Sequence, residues 1–293
     1  QLVKDGITIL HTIGGDDTNT TAADLSKYLK KNNYNLTVVG LPKTIDNDVF
    51  PIAQSLGAWT AAEQGAIFFE NIANENTTSS RQLIIHEIMG RNCGWLTAAT
   101  AYEYRQRLKN KKFITEIGLV KEKWDIHSVL IPEQKISFEK ECVRLKKIMD
   151  KYDCVNIFLS EGAGIELIIE DAKKSKKTIL YDAFGHVRLD EINAGKWFSE
   201  KFGKKLNADK ILIQKSGYFS RSAKANQKDL DLIFVLCDYA VKSAKICRSG
   251  VVGWDENDNN KLSCIDFEEI NGGKSFDISI DWYKKMMHEI KEI

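Results

Sequence analysis

Leu36-Thr37-Val38-Val39-Gly40-Leu41-Pro42-Lys43-Thr44-Ile45-Asp46-Asn47-Asp48 decides the fold. Its opening apolar run, Leu36 to Val39, reads as a buried strand. From Pro42 on, the chain sets one lysine and two carboxylates within seven residues. Such chemistry at a strand's end marks the place where open α/β sheets hold their ligands.

The same arrangement recurs outward from this stretch. Ile7 to Ile13 reads as a strand, followed by the acidic turn Gly14-Gly15-Asp16-Asp17 and a helix over Thr20 to Lys31. The run from Asp16 to Thr20 offers several N-caps. A long helix is expected from about Ser55 to Asn74, a strand over Gln82 to Glu87 and a helix over Trp95 to Leu108. Ser128 to Ile131 reads as a strand, Phe138 to Tyr152 as a helix and Val155 to Leu159 as a strand. Glu191 to Phe202 is helical, Lys210 to Gln214 a strand and Asn226 to Lys245 a long helix. The segment from Asn257 to Gly273 is polar and irregular, with a short strand near Cys264 to Phe267. Strands separated by helices imply βαβ units. The expected class is α/β, with two lobes, each a mainly parallel sheet flanked by helices, and the active site in the cleft between them. Only three prolines occur, and there is no Pro/Ser/Gly-rich linker, so the lobes are joined by short crossings.

Bulk properties narrow the classes. With 293 residues and 43% hydrophobic content, the chain supports one large or two ordinary domains. The net charge is +1, which gives no basic face for nucleic acid or an anionic membrane. The basic runs Lys109 to Lys112 and Lys173 to Lys177 read as solvated surface. No apolar run approaches the roughly 20 residues of a membrane helix. The six cysteines form no C-x-x-C pair, which suits reduced thiols in a cytoplasmic protein. The five histidines show no zinc spacing. Neither a P-loop nor a G-x-G-x-x-G fingerprint is present.

Five clusters sit at the C-terminal ends of expected strands. Gly14 and Gly15 let the backbone turn and approach a ligand, the helix start favours an anion, and Asp16 suits Mg²⁺. Alone, those residues equally describe a plain turn with an Asp N-cap. In the second cluster Asp46 is placed as a general base, Lys43 as a cation for developing charge, and Asp48 as a partner or further metal ligand. Its plain alternative is a Pro-led surface turn. Arg91, after Gly90, suits bidentate phosphate binding. Glu161, in Ser160-Glu161-Gly162-Ala163-Gly164, is placed to accept from sugar hydroxyls. Tyr218 and Arg221 lie three apart and can address one ligand. Each of the last three is an ordinary turn when taken alone; the signal is their common position.

Together these stretches resemble the phosphofructokinases, and within them the pyrophosphate-dependent group. The matches are GGDDTNT from Gly14, PKTIDND from Pro42, MGRNCGWL from Met89, SEGAG from Ser160 and GYFSRS from Gly217, in family order. The resemblance implies Mg²⁺-dependent, reversible transfer of a phosphoryl group from pyrophosphate to the 1-hydroxyl of fructose 6-phosphate, in glycolysis. Asp46 is then the proton acceptor. Thr44, Ile45, Asp48, Met89, Gly90, Arg91, Glu161 and the stretch Tyr218, Phe219, Ser220 and Arg221 serve the sugar phosphate. Gly14, Gly15, Thr18 and Lys43 serve the donor, and Asp16 is the metal ligand. ATP users carry glycine where this chain has Asp17 and Lys43, so those two are expected to exclude ATP and admit pyrophosphate. The donor lobe is expected over 1–80 plus 215–293, with its N-terminal part missing, and the sugar-phosphate lobe over 81–214. A cytoplasmic homo-oligomer, dimer or tetramer, is also implied. The rival readings are an ATP-dependent phosphofructokinase, a lipid or dinucleotide kinase sharing the GGD turn, and a non-catalytic sugar-phosphate-binding subunit.

Overall fold

The structure, a computed structural model, describes residues 1–175, 193–270 and 273–293. They form two compact units, residues 1–61 with 223–275 and residues 62–222 with 276–293.

The first unit is built on a four-stranded sheet in the order β1 (Ile9–Gly14), β2 (Thr37–Pro42), β7 (Gly250–Asp255), β8 (Lys261–Ile265). The first three are parallel, and β8 runs antiparallel to β7. β2 is buried along its whole length, as a central strand covered on both faces must be. Successive residues point to opposite faces. Val38 therefore joins Ala22, Ala23 and Leu29 of α1 (Asp16–Lys31), while Val39 joins Leu232, Leu236 and Ala240 of α8 (Gln227–Lys245).

The second unit carries an all-parallel sheet in the order β4 (Ser128–Leu130), β5 (Cys154–Ser160), β3 (Gln82–Ile88), β6 (Lys210–Lys215). On one face Leu83, Ile85, Val155 and Ile157 meet α4 (Phe138–Tyr152) and α6 (Ala194–Leu206). On the other, Phe158 and His86 pack with Phe69 of α2 (Ala58–Ile72) and Phe158 with Tyr104 of α3 (Trp95–Lys109). Edge strand β6 alternates between half-buried and exposed residues.

Differences from the sequence reading have local causes. α1 begins at Asp16, four residues before Thr20, because Gly15 takes the N-cap and the two aspartates fill the first turn, where negative charge is favoured. α5 (Ile165–Lys174), the short α7 (Gly217–Arg221), β7 and α9 (Asp281–Lys291) are additional elements. The compact units divide at 61/62 and 222/223 rather than at 80 and 214, and α9 belongs to the second unit. Residues Glu191 and Ile192 of the expected helix, Lys176 and Lys177 of the basic run, and 271–272 of the polar segment lie outside the described residues. None of the six cysteines is in a disulfide; four are buried, and Cys237 and Cys247 are exposed. No helix among the described residues is long and apolar enough to cross a membrane.

Candidate active site

In the first unit, strand register assembles the acidic residues. β1 pairs with β2 so that Gly14 lies opposite Pro42. The two strands therefore end together, and the turns that follow them are neighbours. The Lys43 N–H donates to the Gly14 carbonyl at 2.7 Å, and a Cβ on Gly15 would stand 3.5 Å from the Thr44 Cβ. Asp16 and Asp17 open α1, Asp16 half-buried and Asp17 exposed.

Asn47 shapes the loop that carries Asp46 and Asp48. It adopts φ 54°, a left-handed conformation that asparagine tolerates better than most residues. Its side chain, 2% exposed, accepts from the Ser55 N–H at 2.8 Å and donates to the Ala53 carbonyl at 3.3 Å. The Ser55 hydroxyl in turn donates to the Thr44 carbonyl at 2.7 Å. The Asp46 N–H donates to Thr44 Oγ1 at 3.2 Å. Side chains thus alternate along the loop: Ile45, Asn47 and Val49 are buried, Asp46 and Asp48 half-buried, and Lys43 exposed. Ile45, expected at the substrate, has its side chain in the interior at 8% exposure, so only its backbone is available to a ligand.

Burial pushes the Asp48 carboxyl above the ordinary aspartate range, and the charge of Asp16 pushes it further. A backbone hydrogen bond, Thr44 and Lys274 act in the opposite direction. Asp16 Oδ1 is buried without a hydrogen-bond partner. A partnerless carboxylate oxygen beside a second carboxylate is an arrangement that a hard cation relieves. Among the described residues no group of three or more His, Cys, Asp or Glu could hold a metal. Two carboxylates are a donor set of the kind Mg²⁺ takes, since it binds one or two carboxylates and completes its shell with phosphate and water.

In the second unit Ile88 lies opposite Ser160, and Glu87 opposite Lys215, so three turns leave one edge of the sheet together. Gly90 has φ 121°, and the Ser160 hydroxyl donates to its carbonyl. The Glu161 N–H donates to the Ile88 carbonyl at 2.9 Å. A Cβ on Gly162 would lie 1.7 Å from the Arg91 carbonyl oxygen, so the Arg91 backbone rests directly on this glycine. A Cβ on Gly217 would lie 2.9 Å from the Met89 sulfur, which places Met89 beside the third turn. Arg91 is exposed. Burial raises the Glu161 carboxyl, with Arg91 opposing and Glu87 adding to the rise.

α7 separates its residues by face. Tyr218 is 86% exposed and Arg221 is also exposed. Phe219 packs on Phe68 of α2 with ring centroids 5.5 Å apart, and Ser220 is 5% exposed. The pair expected at one ligand, Tyr218 with Arg221, is open to solvent; Phe219, 45% exposed, is partly covered by Phe68, and Ser220 is buried.

Sequence reasoning missed Glu87 and Lys215. They form an ion pair at 2.6 Å, and Glu87, 8% exposed, also accepts from the Gly195 N–H at 3.1 Å. Both stand at or next to the last residue of neighbouring parallel strands, and only the register reveals that. Asn47 and Ser55, which shape the acidic loop, carried no signal beyond their residue type.

Comparison with known proteins identifies the family. The phosphofructokinase family profile matches residues 1–242. A protein of Methylomonas methanica named pyrophosphate--fructose 6-phosphate 1-phosphotransferase is 56% identical over 290 residues, 99% of this chain and 71% of its own. A protein of the same name from Propionibacterium freudenreichii is 52% identical over 290 residues, 99% of this chain and 72% of its own. A relative named ATP-dependent 6-phosphofructokinase 1, from Arabidopsis thaliana, is 28% identical over 80% of this chain and 46% of its own. Among solved structures, the pyrophosphate-dependent phosphofructokinase of Nitrosospira multiformis superposes with a TM-score of 0.70 at 17% identity, covering 99% of this chain and 68% of its own. That likeness concerns the fold.

Proposed function

The chain belongs to the phosphofructokinase family, and on that premise we propose that it moves a phosphoryl group from pyrophosphate to the 1-hydroxyl of fructose 6-phosphate, giving fructose 1,6-bisphosphate and phosphate. The names of the relatives that are 56% and 52% identical support this donor and this acceptor.

The donor residues fall in the first unit. The peptide N–H groups of the Gly14-Gly15 turn and Thr18 would hold the pyrophosphate, and Lys43 would balance the charge that grows on it. Mg²⁺ on Asp16, with Asp48 beside it, would neutralise donor phosphate oxygens and keep them in line. Asp46 would accept the proton of the attacking 1-hydroxyl. The new bond joins that oxygen to the phosphorus, the anhydride P–O bond breaks, and phosphate leaves with its electron pair. Asp17 adds a negative group next to Asp16, where a nucleotide's further phosphate would meet repulsion. Reversible transfer is part of the same proposal.

The acceptor residues fall in the second unit. Arg91 and Arg221 would take the 6-phosphate, Tyr218 and Glu161 the hydroxyls, and Met89 and Gly90 the sugar through backbone and packing contacts. Glu87 and Lys215 hold the charge balance around Glu161. A cytoplasmic homo-oligomer belongs to the same proposal; free thiols suit a reducing compartment.

The observation that carries the reading is the 2.7 Å bond from the Lys43 N–H to the Gly14 carbonyl, which ties the Lys43 loop to the Asp16-Asp17 turn. The test is coupled-enzyme turnover with pyrophosphate against ATP, with Asp46→Asn as control. Pyrophosphate turnover that falls about 100-fold or more in the control supports the assignment. Undiminished turnover removes Asp46 as the base.

A further inference from the structure

We propose that Asn19 is a positioning residue for the phosphoryl donor, its side-chain amide holding the Gly14-Gly15 turn in the geometry that lets Asp17 and Lys43 select pyrophosphate. The inference rests on the donor reading given above.

Asn19 lies one turn into α1 and is 0% exposed. Its Nδ2 forks between two consecutive carbonyls, Gly15 O at 2.8 Å and Gly14 O at 3.1 Å. In a trans peptide the N–H points opposite to the carbonyl before it. Turning both carbonyls onto Asn19 therefore aims the N–H groups of Gly15 and Asp16 the other way. Two consecutive amides and a helix start then share one direction, the arrangement that binds phosphate oxygens.

The Gly14 carbonyl also accepts the Lys43 N–H at 2.7 Å. One carbonyl is thus shared by the turn that precedes Asp17 and by the backbone of Lys43, and Asn19 fixes it. The strand beneath leaves room for this: a Cβ on Gly40 would lie 2.8 Å from Asn19 Oδ1.

Helix stability does not explain the residue. Asparagine is a poorer helix former than alanine. Asn19 Oδ1 is buried with no hydrogen-bond partner, as is Thr12 Oγ1, which is 3.4 Å from the same Gly40 Cβ position. An unpartnered acceptor offsets what the two donated bonds contribute. The Gly15 carbonyl is also held by the Asn19 backbone N–H at 3.1 Å, the helix's own bond, so what remains specific to the side chain is its second bond, to the Gly14 carbonyl, which ties that carbonyl to α1.

Steady-state kinetics and pyrophosphate-induced thermal shifts of Asn19→Ala test the inference, with Thr12→Val as a control that alters the same pocket but no carbonyl. A misplacement on the order of 1 Å costs up to about 100-fold. The expected result for Asn19→Ala is a KM for pyrophosphate about 10- to 100-fold higher, with the pyrophosphate-induced shift in Tm lost. The KM for fructose 6-phosphate stays within about twofold, and Thr12→Val behaves as the parent. If Asn19→Ala does not fold, Gly40→Ala, which displaces the amide while Asn19 stays, is judged by the same criteria. A folded variant with parental pyrophosphate KM overturns the inference, and so does an equal rise in both KM values. A parent protein that ignores pyrophosphate removes the donor reading and this inference together. Parental use of pyrophosphate beside an unaffected Asn19→Ala removes the inference alone.

Discussion

Replacing Gly162 by alanine isolates the acceptor side of the reaction. The added Cβ would fall 1.7 Å from the Arg91 carbonyl oxygen and 2.7 Å from its carbonyl carbon. Carbon contacts settle near 3.5 Å and become strongly repulsive well below 3 Å, so the Arg91 backbone must retreat by about 1.3 Å or more. It cannot retreat freely: the Gly90 carbonyl is held by Ser160, and the Glu161 N–H is held by Ile88. The displacement therefore passes into Arg91 itself and into its Coulombic contact with Glu161. If Arg91 orients the acceptor as proposed, a shift of that size costs about 100-fold, equivalent to about 2.7 kcal/mol. The assay is kcat/KM for fructose 6-phosphate at saturating pyrophosphate, with circular dichroism to confirm folding. The expected loss is about 100-fold in that ratio, with the KM for pyrophosphate within about twofold. A folded Gly162→Ala variant with parental kcat/KM for fructose 6-phosphate would refute the placement of Arg91 at the acceptor.

Two further outcomes concern stability. His86 and His127 are fully buried, and burial lowers them to about 3 and about 4. An unfolded histidine titrates near 6.5, so below that pH the unfolded chain binds protons the native one refuses. The stability these histidines supply is complete above about pH 6.5 and declines as pH falls toward 4, by up to about 1.4 kcal/mol per histidine per pH unit. Urea midpoints should be flat from pH 8 to 7 and fall steadily from 6.5 to 5; a midpoint constant down to pH 5 contradicts this. Asp229, 0% exposed, accepts from the Gly57 N–H at 2.9 Å, the Thr60 N–H at 2.7 Å and the Thr60 hydroxyl at 2.5 Å, and so caps α2 from another helix. Asp229→Ala strands those donors and should cost about 3 kcal/mol, a Tm lower by roughly 6–12 °C; a change under about 2 °C would show that the cap is dispensable.

Much of the architecture was legible because the central strands announce themselves. β2, β3 and β5 are buried at every residue, and their apolar runs in the sequence say so. β7, Gly250 to Asp255, was not legible, because two glycines and a tryptophan in six residues do not resemble a parallel strand. Its antiparallel partner β8 mixes exposed and buried positions. At the site, residue types at strand ends were readable, but register was not. Glu87 with Lys215 requires knowing that β3 pairs with β6, two elements separated by more than a hundred residues. Asn19 is the reverse case. In the run Asp16 to Thr20 it looks like one cap among several, yet Gly15 takes the cap and Asn19 clamps the turn from inside the helix. Ser220 looked equivalent to its neighbours until α7 turned it into the interior, 5% exposed.

The central claim is that Asp17 and Lys43 set the donor, and the ratio of kcat/KM for pyrophosphate to that for ATP measures it most directly. The parent should favour pyrophosphate, and Asp17→Gly with Lys43→Gly should lower the ratio by about 100-fold or more, losing pyrophosphate use and gaining ATP use. A parent that prefers ATP, or a double variant with an unchanged ratio, would contradict the account.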